Sequence, residues 1–162
     1  MRKPAMILFD YGHTLCYEPV QDYLRGWRAA MEHAVENPRG LTAEAVYEYS
    51  REVYAGLFRQ LRPLELETDG LKLDECIFDA LGLRFDLPMP ELEYVRWCAT
   101  EPIYPMEGIE GFLALCTRLG IRTGVISNLS FSGGTLIRRI DECLPFHRFE
   151  FIVASSECVF RK

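Results

Sequence analysis

No stretch of the 162-residue chain approaches the roughly 18 uninterrupted apolar residues that a membrane-crossing helix needs. The early run Ala5-Met6-Ile7-Leu8-Phe9 ends at Asp10, too short for the core of a secretory signal. The chain is therefore expected to be cytoplasmic, with no membrane partner. An excess of basic charge is missing as well. Against 18 Lys plus Arg stand 24 Asp plus Glu, a formal charge of −6, which argues against a nucleic-acid partner. The six cysteines (Cys16, Cys76, Cys98, Cys116, Cys143, Cys158) include no CxxC pair and sit in apolar stretches, as reduced core thiols do. Neither His33 nor His147 has a second His or Cys at metal-binding spacing. Internal repeats and low-complexity tracts are absent.

What is present is 49% apolar and 26% charged, the profile of a single compact domain or of two small units in one chain. Residues 5–9, 122–126 and 149–154 are short apolar runs without alternation, as expected of parallel strands covered on both faces. Each is followed by a polar stretch that reads as a loop. A helical pattern through Leu136, Ile137, Ile140 and Leu144, ended by Pro145, joins the second run to the third as a parallel crossover. Another, through Ile109, Leu113 and Cys116 with Gly120 behind it, precedes the second run.

More than a hundred residues separate the first two strands, far more than one crossover needs. The excess reads as an inserted helical bundle. One helix covers 20–35, another runs from a Thr42 N-cap to Pro63, and two shorter ones cover 71–81 and about 90–99. Connections near 16–19 and 101–105 lead into and out of the insert and could hinge it. The expected architecture is α/β, a Rossmann-like parallel sheet from residues 1–16 and 104–162 with an α-helical insert over 17–103.

Ligands of open parallel sheets bind beyond the carboxyl ends of the strands. The residues there are Asp10-Tyr11-Gly12-His13-Thr14-Leu15, then Ser127-Asn128-Leu129-Ser130, then Ser155-Ser156-Glu157 with Arg161-Lys162 beyond. A carboxylate, a hydroxyl beside an amide, and an ammonium group are the components of a phosphoryl-transfer site: nucleophile, hydrogen-bond donors, and a cation against developing charge.

These segments resemble the haloacid dehalogenase-like (HAD) hydrolase superfamily. Its D-x-D-x-T-L/V motif is matched by Asp10 to Leu15, its strand ending in Ser or Thr by Gly124-Val125-Ile126-Ser127-Asn128, and its Lys by Phe160-Arg161-Lys162. The insert resembles that family's helical cap. The resemblance implies that Asp10 attacks the substrate to form an aspartyl-phosphate and, with the Gly12 carbonyl, holds Mg²⁺. It implies that Thr14, Ser127 and Asn128 hold phosphate oxygens, and that Lys162 pairs with Asp10 and the phosphate. The expected partner is a small phosphorylated metabolite.

Two departures stand out. Gly12 replaces the family's second Asp, the general acid/base of its phosphatases, and the adjacent His13 is either a substitute or a turn residue. The family's fourth motif, an acidic pair completing the Mg²⁺ site, has no equivalent up to Lys162, so the core is expected to be incomplete and the natural protein longer. Dehalogenase or phosphonatase chemistry, which dispenses with the second Asp, is the alternative enzyme reading. A truncated or degenerate binding protein, self-associating through an exposed first strand, is the non-enzymatic one. Tyr23, Trp27, Tyr47, Tyr54, Phe58 and Trp97 of the insert read as packing residues, some of which could face a cleft. Arg138-Arg139 reads as a solvated helix face.

Overall fold

A computed structural model describes residues 3–162 of the chain. It is an α/β protein. Three parallel strands, β1 (Met6–Phe9), β6 (Arg122–Ser127) and β7 (Ile152–Ala154), lie in the order β1-β6-β7. The remaining strands form two short antiparallel ribbons, β2 (Cys16–Tyr17) with β5 (Tyr104–Pro105) and β3 (Ala34–Glu36) with β4 (Arg84–Phe85). Helices α1 (Tyr23–Met31), α2 (Ala43–Leu61), α3 (Gly70–Leu81) and α4 (Met89–Thr100) fall between β2 and β5. Helices α5 (Ile109–Arg118), α6 (Gly133–Cys143) and the four-residue α7 (Ser155–Cys158) belong with the sheet. No described helix is long and apolar enough to cross a membrane.

The helix ends follow local chemistry. Asp22, Thr42, Asp69 and Ser132 each accept a hydrogen bond from a backbone N–H three residues on, relieving one orphan donor of α1, α2, α3 and α6. Gly82, left-handed at φ 73°, closes α3.

The stripe expected to be one helix over 20–35 breaks after Met31. The N–H of His33 bonds back to Ala30 O in a tightened last turn, and Ala34 then pairs with Phe85. The His33 side chain bonds Asp86, fixing the reversal. Val35 stands at helical spacing only by coincidence; as a β-branched residue it suits the extended ribbon, where it is exposed.

The strand expected over 149–154 begins only at Ile152. Phe149 turns aside to pack on Phe9, with ring centroids 5.9 Å apart, and the Phe151 ring lies over Gly124. A Cβ at Gly124 would sit 2.6 Å from Phe151 Cζ, so a larger residue there would have to displace that ring. Ser155-Ser156-Glu157, expected as a loop, opens α7 instead.

Apolar burial falls into two clusters. The first gathers Phe9, Tyr11, Leu15, Ile109, Val125, Leu136 and Ile140 around the sheet. The second gathers Trp27, Val46, Ile77, Phe78, Leu83 and Leu92 among the helices. Helix α4 serves both, giving Leu92 to the second and Trp97 to the first. A helix buried on two sides has no clean polar face, so polar side chains are buried with it. Glu93 accepts from the Ser132 and Thr135 hydroxyls and from Ser132 N–H at the start of α6, and Arg96 pairs with Asp74.

Two sequence expectations fail here. Arg138 is exposed, but Arg139 is only 2% exposed. Its guanidinium donates to the Tyr11 hydroxyl, the Glu101 carbonyl and Cys98 sulfur, and lies 4.4 Å from the Trp97 ring centroid. A planar cation with several fixed donors is the kind that can be buried when so partnered. The cysteines also divide: Cys16 and Cys116 are buried, whereas Cys76 and Cys158 are exposed.

Candidate active site

The parallel register sets Phe9 opposite Val125 and Ser127 opposite Ala154. Asp10, Asn128 and Ser155 thus leave the sheet at one end, in the crevice where such sheets bind ligands. The turn after β1 wraps around the Tyr11 carbonyl, which accepts from Leu15 N–H at 2.9 Å and Cys16 N–H at 3.2 Å. The buried Tyr11 ring, bonded to Arg139, anchors that turn to α6.

Three donors converge on Asp10. Ser127 Oγ donates to Oδ1 at 2.9 Å and the Tyr11 N–H to the same oxygen at 2.8 Å. Lys162 Nζ stands 2.7 Å from Oδ2. Partial burial pushes the carboxyl's pKa up, but the hydrogen bonds from Lys162, Ser127 and Tyr11, with the charge of Lys162, outweigh it and hold it below the ordinary value. The carboxylate stays ionised, as a nucleophile must. Lys162 Nζ also donates to Ile126 O at 2.7 Å, leaving one of its three N–H groups for a substrate oxygen.

Lys162 reaches this position because the segment before it is fixed on both sides. Glu67 N–H bonds Val159 O, Arg161 N–H bonds Glu65 O, and Leu66 pairs antiparallel with Phe160. Asn128 completes the hold: Oδ1 accepts the Lys162 N–H at 2.8 Å and Nδ2 donates to its carbonyl at 3.3 Å. Glu67, 6% exposed, accepts from Arg161 and from Ser155 Oγ. It is a positioning residue that the sequence does not reveal, since an acidic residue in a polar loop looks solvated.

The other expected site residues are placed differently. The Thr14 hydroxyl is in no hydrogen bond among the described residues, and Thr14 is exposed. Gly12 is half-buried with a negative φ, and a Cβ there would meet nothing within 4 Å. His13 is exposed in a left-handed turn at φ 53°, and the nearby Glu18 carboxyl is pushed up by burial and by Glu101.

The Mg²⁺ implied for Asp10 and the Gly12 carbonyl meets a partial donor set. Both Asp10 oxygens are engaged, one by an ammonium ion. Among the described residues no three His, Cys, Asp or Glu side chains gather as metal ligands. Mg²⁺ demands near-octahedral oxygen ligation. Asp10 and the Gly12 carbonyl would supply two of its six ligands, and a bound ion would take the rest from water and substrate phosphate.

Beside Asn128 opens a cavity of about 610 Å³, walled on one side by Asn128, Leu129, Ser130 and Phe131 and on the other by α1, α2 and α4. Asp10, Ser127 and Lys162 do not line it; Asn128 joins it to them. Tyr23, Trp27, Tyr47, Tyr54 and Phe58 do line it, whereas Trp97 stacks on Phe131 behind its wall, centroids 4.0 Å apart.

No family model matches the sequence, and no curated protein does. Among solved structures, the chain is similar to a Bacteroides fragilis protein described as a haloacid dehalogenase-like hydrolase. The two share 17% identity at a TM-score of 0.45, over 99% of this chain and 67% of that one.

Proposed function

We propose that this chain carries the nucleophile of a HAD-like hydrolase that cleaves phosphate monoesters through an aspartyl-phosphate, with residues 17–103 as its cap. The observation that carries the reading is the constellation on Asp10: one oxygen held by Ser127 and the Tyr11 N–H, the other by Lys162. An Asp10 oxygen forms a bond to phosphorus, the ester P–O bond breaks, and its electron pair leaves with the alcohol oxygen. The free N–H of Lys162 faces the charge that develops on the phosphoryl oxygens. Water then attacks phosphorus, the P–O bond to Asp10 breaks, and the carboxylate returns.

The leaving oxygen needs a proton unless it is a good leaving group, and with Gly12 where an acid would stand, solvent water supplies it. The reading therefore favours esters of acidic alcohols. The test is phosphate release from p-nitrophenyl phosphate, with and without Mg²⁺, by the wild type and Asp10→Asn. Turnover lost in the variant, with a hydroxylamine-sensitive phosphoryl adduct mapped to Asp10 by mass spectrometry, is expected. Equal rates in both proteins would overturn the reading.

The absence of an acid at Gly12 supports one second reading, in which Asp10 displaces halide from a 2-haloacid. Halide leaves as an anion and needs no acid. Chloride release from 2-chloropropionate in excess EDTA would replace the phosphatase reading with this one.

A further inference from the structure

The cavity beside Asn128 has a chemistry of its own. Its volume, about 610 Å³, suits a small-molecule site. Its walls are aromatic: Tyr54 and Phe58 pack with centroids 5.5 Å apart, and the Arg96 guanidinium lies 4.6 Å from the Trp27 ring centroid and 5.4 Å from that of Phe131.

Two polar groups in these walls keep hydrogen-bonding capacity that the fold does not use. Ser50 is 1% exposed, lines the cavity, and its Oγ has no hydrogen-bond partner. Buried hydroxyls are rarely left so, because the lost hydration is not replaced. Arg96 is 8% exposed and, among the described residues, makes one side-chain hydrogen bond, from Nη2 to Asp74 Oδ2 at 2.5 Å. Most of its five N–H donors are therefore uncommitted.

The charges decide what those donors await. Arg96 is neutralised by Asp74, Arg161 by Glu67, and Arg51 by Glu48. Arg62 has no ion pair among the described residues, but it is exposed and lies 4.7 Å from the Phe58 ring centroid. No uncompensated cation lies deep in the cavity, and an anion buried beside a neutral ion pair would lose its hydration without return. A neutral hydrogen-bond acceptor would lose little.

We infer that the cavity takes the leaving group of the phosphate ester and that this group is a flat ring with carbonyl acceptors on its edge, the chemistry of a nucleobase. The ring packs among Tyr54, Phe58 and Trp27, and its acceptors meet the Ser50 hydroxyl and the uncommitted N–H groups of Arg96. Asn128, between Ser127 and the cavity, marks where the ester passes from phosphate to ring. The inference rests on the phosphoryl-transfer reading of Asp10 for its choice of ester.

Calorimetric titration of the full chain with uridine 5′-monophosphate, ribose 5-phosphate and phenyl phosphate tests it by binding alone. Uridine 5′-monophosphate is expected to bind at least about tenfold tighter than either, since one has no flat ring and the other no ring carbonyls. Ser50→Ala is expected to reduce that preference about tenfold while melting no lower than the wild type, because it removes an unsatisfied group. Arg96→Lys keeps a cation for Asp74 but loses the planar fork, and should also lose the preference. Equal affinities for the three compounds, or a Ser50→Ala protein that keeps the wild-type preference, would overturn the inference. Turnover of p-nitrophenyl phosphate through Asp10 without the binding order overturns the ring pocket alone. The binding order without turnover of any ester overturns the hydrolase reading and keeps the pocket.

Discussion

The carboxyl end of the sheet and the neighbouring cavity solve opposite problems. At the sheet, small polar groups gather around one carboxylate that stays partly exposed, and every Asp10 oxygen already has a donor. In the cavity, large aromatic side chains enclose a buried guanidinium and a hydroxyl that the protein leaves unmatched. The first arrangement holds a charge in a reactive state and is complete without a ligand. The second is incomplete without one. Reaction type and substrate choice thus rest on different physics, and each can be broken without the other.

The largest effect is expected from Asp10→Asn. Removing the attacking oxygen's charge should lower phosphate-ester turnover by about 10⁴-fold or more, as loss of a nucleophile does. Uridine 5′-monophosphate binding should survive, as calorimetry of the same variant would show. If binding vanishes with turnover, the two regions are not separable.

Asp74→Ala attacks the other region. It leaves Arg96 buried without its carboxylate, and losing one partner of a buried pair costs about 3–5 kcal/mol. Denaturant unfolding should show most of that loss. The Asp10 constellation lies on other elements, so turnover at temperatures where the variant is folded should fall far less than in Asp10→Asn.

Gly12→Asp sharpens the comparison from the reaction side. The negative φ and open space mean that an Asp side chain fits without strain. A general acid contributes roughly 10²-fold or more. That gain should be seen with alkyl phosphates, whose leaving oxygen needs a proton, and be nearly absent with p-nitrophenyl phosphate. Equal gains on both substrates would mean that position 12 does not serve the leaving group.

The two regions also differ in how far the sequence reveals them. Asp10, Ser127 and Lys162 stand at or near ends of apolar strands, and short apolar runs followed by polar residues are local patterns. The helices of 43–61 and 70–81 are equally plain, because Thr42 and Asp69 cap them from within their own segments. What holds the cavity walls and the surroundings of Asp10 together is not local. Arg96 finds Asp74 on another helix, Ser155 finds Glu67 at a separation of 88 residues, and Arg139 finds Tyr11 at 128. Nothing near Arg139 distinguishes it from the exposed Arg138 beside it. The β3–β4 ribbon is hidden for the same reason, since Ala34 and Val35 continue a helical stripe and only the partner at Arg84–Phe85 draws them out of it.

The smallest effect tests how the carboxylate is kept charged. A carboxyl whose pKa is depressed in the folded protein is ionised at every pH above that lowered value, and loses its charge, with the stability that charge contributes, only as pH falls through it. The acid limb of turnover should therefore lie below the ordinary Asp value of 3.8. Ser127→Ala removes one of the donors that depress it, while Lys162 and the Tyr11 N–H remain. The limb should move up, by about one to two pH units, the scale of a single hydrogen bond to a charged group. Lys162→Met should move it further, because it removes a hydrogen bond and a charge together. A limb that rises with neither substitution would mean that the group titrating in the profile is not Asp10, and the nucleophile would have to be sought elsewhere along the strand ends.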